Sequence, residues 1–269
     1  MRADLVPDDL WERVAPLLPP VPERRRRYPG RLRVPDRAAL AGILYVLRTG
    51  VAWRDVPAET VGCSGVTAWR RLRDWTGAGV WPRLHAALLA ELRREDLLDL
   101  DDCAVDGSHV RALKRGNHVG PSPVDRARPG SKHHLIVDRH GTPLAVTLTG
   151  GNRHDVTQLL PLLDTVPPIR GQRGRPRRKP RRLYADRGYD FDKYRRLLWK
   201  RGIKPLIARR GIAHGSGLGK VRWVVERTFA WLHQFKRLRI RYEQRADLHQ
   251  GLLELACSLI CLRRLRTSF

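Results

Sequence analysis

Acidic side chains and lysines are both scarce in this chain. Asp and Glu number 27 against 53 Lys and Arg, a formal net charge of +26 over 269 residues, and only eight of the cations are lysine. A folded protein this basic repels itself unless it meets a polyanion, so nucleic acid is the expected partner. No lipidation motif or isolated basic amphipathic helix points to a membrane surface instead. Cysteine is rare as well. Cys63, Cys103, Cys257 and Cys261 contain no CxxC pair, which argues against a thiolate metal site and leaves Cys257 and Cys261, four apart on an expected helix, as core-facing thiols. Long apolar runs are missing too. LLELACSLICL is too short for a bilayer and carries Glu254, and MRADLVPDDLWERV lacks a signal peptide's apolar stretch. A soluble, cytoplasmic, reduced protein is therefore expected. The 42% apolar content suffices for one large domain or two modest ones.

Residues 1–98 read as helical. Asp8 or Asp9 is placed to cap LWERVAPLL, Asp36 precedes RAALAGILYVLRT, and Ser64 precedes GVTAWRRLRDWTGAG, with VWPRLHAALLAELRRE after it. RRRRYPGRLR, between the first two, is an exposed basic loop. Residues 56–78 resemble a helix-turn-helix whose second helix would present Arg70, Arg71 and Arg73, beside Trp69, to a major groove. A packed helix with a solvated basic face fits the same residues.

From about residue 99 the pattern changes. A short strand runs from about Asp102 to Asp106. HHLIVDRHGTPLAVTLTGG gives two β-branched runs joined by Asp138-Arg139-His140-Gly141, a hairpin signal. Asn152 to Asp164 reads as a helix, and 170–182 as a basic loop whose Arg175, Arg177 and Arg178 would track phosphates. RRLYAD is a strand, YDFDKYRRLLWKRG a helix, IKPLIA a strand, KVRWVVERTFAWLHQFKRL a helix and LHQGLLELACSLICLRRL the last helix. Three strands feeding β-α units describe an α/β, ribonuclease-H-like mixed sheet (residues 99–269) behind an all-helical N-terminal domain (1–98).

In that layout Asp106 ends the first strand and Asp186 the fourth, in the similar settings AVDG and YADRG. Neighbouring strand ends would bring these carboxylates together, where they repel unless a divalent cation joins them. A third acid is expected from a helix across that edge. Val221, Val224, Val225, Thr228 and Leu232 mark its core face, and Arg222, Glu226 and His233 form a stripe beside it. An all-oxygen set favours Mg2+ or Mn2+ over zinc. Singly, each acid has a plainer use: a turn cap for Asp106, an ion pair with Arg187 for Asp186, helix pairs with Arg222 or Arg227 for Glu226. His154 and Asp155 follow the meander and face the same region, and Lys132, at the start of a strand, is placed to touch phosphate. Asp101, Asp102, Asp138, Asp190 and Asp192 read as turn, cap or surface positions. Trp223 and Trp231 read as core residues or as a stacking surface for a flipped or frayed base.

AVDGSHVRA, GSKHHLIVDRHGTPLAVTLTGGNRHDV, LYADRGYD and WVVERTFAWLHQFKRLRIRYE together resemble the insertion-sequence DDE transposases, in the branch named after the fifth insertion sequence. LWERVAPLLP and GILYVLRTGVAWRDVP are similar to that branch's opening. The resemblance implies that Asp106, Asp186 and Glu226 are a DDE triad holding two Mg2+ or Mn2+ ions. It implies that double-stranded DNA is bound at terminal inverted repeats and joined to a target, by a homodimer or larger assembly at the bacterial nucleoid. It also implies a DNA contact from Arg222 and, where the wider superfamily has Lys, from His233 or nearby Lys236. Gly219 stands where that superfamily has Tyr. A nuclease of the same fold that cuts without joining, and a non-catalytic DNA-binding regulator, are the competing readings.

Overall fold

The computed structural model describes residues 5–21, 23, 27, 31–211, 217 and 219–267. Helices come first: α1 (Asp8–Val14), α2 (Asp36–Thr49), α3 (Ala58–Val61), α4 (Gly65–Gly77) and α5 (Val80–Arg94). Pro7 and Pro35, and not the aspartates, hold the N-cap positions of α1 and α2. Asp8 and Asp36 stand one residue inside, where the helix dipole favours an acid, and Asp36 pairs with Arg33 and Arg71. Ser64 does cap α4, accepting from the Thr67 amide at 3.3 Å. The arginine-rich stretch 24–33 lies largely outside the described residues.

A mixed sheet follows, built from β1 (Asp102–Ala112), β2 (Gly120–Pro121), β3 (Pro129–Val137), β4 (Pro143–Gly150), β5 (Arg182–Ala185), β6 (Lys204–Ile207) and β7 (Ile240–Arg241). Its order is β2-β3-β1-β5-β6, with β4 on β3 and β7 on β1. β3 is antiparallel to β1 and β4, whereas β5 is parallel to β1 and β6. The hairpin expected at 138–141 is present: Asp138 accepts from the amides of His140 and Thr142, and Gly141 takes φ 84°. Two expectations shift. β1 continues beyond Asp106 because β3 pairs with it as far as Arg111. The helix expected from Asn152 is a 3-10 turn (Asp155–Gln158) followed by α6 (Leu159–Thr165). A start at 152 would have buried Pro161 in the helix interior, where its ring meets the preceding turn.

α7 (Asp192–Lys200) joins β5 to β6, α8 (Gly219–Gln234) lies across β1, β3 and β5, and α9 (Ala246–Arg266) covers β4 and packs on α5. α8 stops short of the expected Leu238. A 3-10 turn there sets Arg237 on the Val51 carbonyl (3.0 Å) and on Glu243. One hydrophobic cluster runs from Val6 and Leu10 through Trp75, Trp81 and Leu88 to Leu135, Val225, Leu252 and Leu265. The N-terminal helices thus share a core with the sheet, and burial of that continuous apolar surface is the main force holding the two together. All four cysteines are free and buried. Among the described residues no helix is long and apolar enough to cross a membrane.

Candidate active site

Parallel register sets two acids level with one another. β1 and β5 pair at Cys103↔Leu183 and Ala104↔Tyr184, and two residues further along each chain stand Asp106 and Asp186. Asp106 is therefore mid-strand, not at the strand end that the sequence suggested; it is the parallel pairing that stops there. Asp106 Oδ1 accepts from the Gly107 amide and Asp186 Oδ1 from the Gly188 amide, both at 2.8 Å. Gly107 has no room for a side chain, since a Cβ would stand 2.8 Å from Asp155 Oδ1.

α8 supplies the third acid. Its buried Val225, Thr228 and Leu232 face the sheet, and Thr228 donates to the Gly141 carbonyl at 2.6 Å. That seating leaves Arg222 and Glu226 on the flank nearest Asp106. Arg222 reaches both acids, with Nη1 3.5 Å from Asp106 Oδ2 and Nη2 3.4 Å from Glu226 Oε1. The Asp106 carboxyl is pushed up to about 6, chiefly by burial, with Asp186 and Glu226 adding to the effect and the Gly107 amide and Arg222 opposing it. Tyr189, buried on the 3-10 turn that Asp186 caps, is pushed well above its ordinary value by burial and by Asp106, Asp155 and Asp186. Its only trace in the sequence is its place three residues after Asp186.

A carboxylate so short of positive charge suits a divalent cation, and the donors are hard oxygens. Among the described residues, no three His, Cys, Asp or Glu groups already converge on one ligating point. Arg222 lies between two of the acids.

Residues 98–261 match the family model described as "Transposase DDE domain", and residues 6–85 match "Putative transposase of IS4/5 family". The chain belongs to the DDE transposase family. It is similar to the "Putative transposase for insertion sequence element IS402" of Burkholderia cepacia, at 65% identity over 148 residues, 55% of this chain and 70% of that one. It is also similar to the "Insertion element IS402 uncharacterized 16.2 kDa protein" of the same organism, at 56% identity over 124 residues, 46% of this chain and 84% of that one. A solved structure, a pre-cleavage Mos1 transpososome, aligns over 90% of this chain and 81% of its own at 13% identity, with a TM-score of 0.27. The transposase is an enzyme of DNA cleavage and strand transfer.

Its remaining expected site residues divide into outward and inward groups. Arg70 and Arg73 are exposed on α4, with Arg73 beside Asp74 and 5.7 Å from the Trp69 ring centre. Arg71 turns inward to Asp36 at 3.0 Å, so α4 offers two arginines and not three. Arg175 and Arg178 are exposed, whereas Arg177 folds back onto Asp101 at 2.7 Å. Lys132 is buried and donates to Asp155 and to the Arg153 carbonyl, at 3.0 and 2.9 Å. The expected phosphate contact gives way to this ion pair. Asp155 also lies 3.6 Å from His134 Nδ1, and His154 is exposed with its ring edge-on to Phe191.

His233, seven residues beyond Glu226 on α8, is half-buried. Its Nε2 is buried without a hydrogen-bond partner, burial and Arg239 lower its pKa, and its charge would be felt by the buried His133. The stripe is exposed at Glu226 and half-buried at His233. Lys236, on the following turn, is exposed. Asp102, expected to be a turn, cap or surface position, is buried between Arg139 and Arg182.

Proposed function

We propose that Asp106, Asp186 and Glu226 are the catalytic triad of this transposase and that they hold two Mg2+ or Mn2+ ions. The observations that support this are register and reach: Asp106 and Asp186 stand level on paired parallel strands, and Arg222 links Asp106 to Glu226 on α8. The ions, when bound, would supply the charge that activates a water or a DNA 3′-hydroxyl and that steadies the leaving oxygen. The chain's own residues orient the phosphodiester. Asp106 and Asp186 are fixed by the Gly107 and Gly188 amides, and Arg222, between Asp106 and Glu226, is suited to grip a phosphate oxygen.

The sheet with its helices would then be a ribonuclease-H-like catalytic domain (99–269), and residues 1–98 a DNA-binding domain whose α4 approaches a groove with Arg70 and Arg73. Exposed Arg175, Arg178 and Lys236 add phosphate contacts that carry no sequence information. The substrate is double-stranded DNA at the terminal inverted repeats of an insertion sequence, with two or more protomers on paired ends at the bacterial nucleoid. Cleavage of a labelled duplex carrying the element's own terminal repeat tests the assignment. Nicking at the end is expected to need Mg2+ or Mn2+ and to vanish in Asp186→Ala while binding persists. Equal cleavage by the variant sinks the triad. Tight binding without cleavage by either protein would favour a regulator.

A further inference from the structure

About a quarter turn round α8 from Glu226 lies a cavity of about 750 Å³, bounded by α8, the β3–β4 turn and the last turns of α9. Trp223, Arg227 and Trp231, one residue per helical turn, form its floor. The Arg227 guanidinium sits 4.3 Å from the Trp223 ring centre and 4.7 Å from that of Trp231. Arg139, Arg263 and Arg264 stand in its walls, and none of its lining residues is Asp or Glu. Arg139 pairs with Asp102, and the buried Asp138 lies within electrostatic reach of Arg227 and Arg264. Arg227 donates to the His140 carbonyl through Nη2, but its Nε is buried without a hydrogen-bond partner. Burial and then Arg264 lower its pKa. Four guanidiniums thus line the cavity, and the acids that act on them, Asp102 and Asp138, stand outside its lining.

Each feature constrains the ligand. Clustered guanidiniums without acids call for an anion whose oxygens accept several N–H bonds, as a phosphate does. Indole faces call for a flat π-system, and Trp223 keeps 47% of its surface exposed. The volume suits a ligand the size of one or two nucleotides and is far too small for a duplex. A cationic groove with aromatic platforms is the general means of holding unpaired strands.

We propose that this cavity binds single-stranded DNA, with a base on the open face of Trp223 and its phosphates on Arg139 and Arg263. Because Arg227 directly follows Glu226, a strand crossing α8 from the candidate cleavage site enters the cavity. The inference rests on the protein's acting on DNA, and its position, but not its chemistry, rests on the triad.

Binding of a short labelled oligothymidylate, followed by fluorescence anisotropy without metal, tests it in the full chain. Trp223→Ala and Arg263→Glu are each expected to weaken single-strand binding about tenfold, with affinity for a terminal-repeat duplex unchanged. Both residues are exposed, and retained duplex binding shows that each variant is folded. Asp106→Asn is expected to bind the oligothymidylate as the wild type does, so failure of the triad assignment and failure of this one are read separately. The proposal is overturned if both variants bind single strands normally, or if they lose single-strand and duplex binding in equal measure. It is overturned as well if adenosine monophosphate displaces the oligonucleotide at equal concentration, which would make the cavity a free-nucleotide site.

Discussion

Asp102 and Asp106 stand four residues apart on one strand and are treated in opposite ways. Asp102 is 2% exposed and enclosed by the guanidiniums of Arg182 and Arg139. Among the described residues Asp106 pairs with Arg222, at 3.5 Å, and shares it with Glu226. The first carboxylate ties the start of β1 to β5 and to the β3–β4 turn. The second, in the proposed triad, would keep lone pairs for a cation. Uncompensated burial of a carboxylate costs stability, and such a cost is the usual accompaniment of an active site.

Exchanging the two charges for amides puts that contrast at risk. Asp106→Asn is expected to reduce metal-dependent cleavage by about 10³-fold or more, about 4 kcal/mol of barrier, yet to raise the melting temperature measured without metal at neutral pH. The sign follows from the direction of the shift. The folded-state pKa of about 6 lies above the ordinary 3.8, so the carboxyl stabilises the fold only while protonated, and that contribution is lost as pH rises through 6. A melt at pH 7 that shows no gain breaks the comparison.

The buried pair Arg237–Glu243 is the extreme of the Asp102 type, at 2.6 Å with both side chains 5% exposed or less. Glu243→Gln leaves Arg237 charged and poorly partnered, and should cost about 3–5 kcal/mol in urea unfolding. A loss below about 1 kcal/mol, the range of surface pairs, would mean that solvent reaches the site.

His85 sharpens the comparison from the neutral side. It is buried against the Pro143 carbonyl at 2.8 Å, and burial lowers its pKa from 6.5 to about 4. Its contribution is complete above 6.5 and lost as pH falls through 4, about 3 kcal/mol in all. Stability measured against pH should fall less steeply over that window in His85→Gln than in the wild type, and parallel curves would count against the neutral buried imidazole.

Asp102→Asn should give the smallest effect, about 1–2 kcal/mol, because both arginine partners are about half exposed and water replaces part of the loss. Cleavage per folded molecule should be unchanged. A fall in cleavage to the level of Asp106→Asn would erase the distinction between the two acids.

The parts of the fold legible in the sequence are those written locally. AVDG and YADRG mark the two strand acids, Asp138 to Gly141 marks the hairpin, and the spacing of Val225, Thr228 and Leu232 orients α8. The two-residue strands β2 and β7 have no alternation to read, and the length of β1 depends on β3. Side-chain partnerships were hidden for the same reason. Whether Lys132, Arg71, Arg177 or His233 would face DNA depended on Asp155, Asp36, Asp101 and the environment of His133, all remote in sequence. The buried Arg241 holds the carbonyls of Asn117, His118, Glu243 and Gln244, and nothing local in the sequence marks it as buried. Composition says how many arginines there are, and only topology says which are already engaged.

The packing of α5 on α9 has a consequence for how the protein is made. The entire sheet lies between these helices in the chain, so the leucines of α5 emerge from the ribosome long before the surface that covers them exists. During that interval they are open to chaperones and proteases. A product that terminates before residue 246 would leave that face of α5 uncovered, so the closing of this core follows the order of the chain.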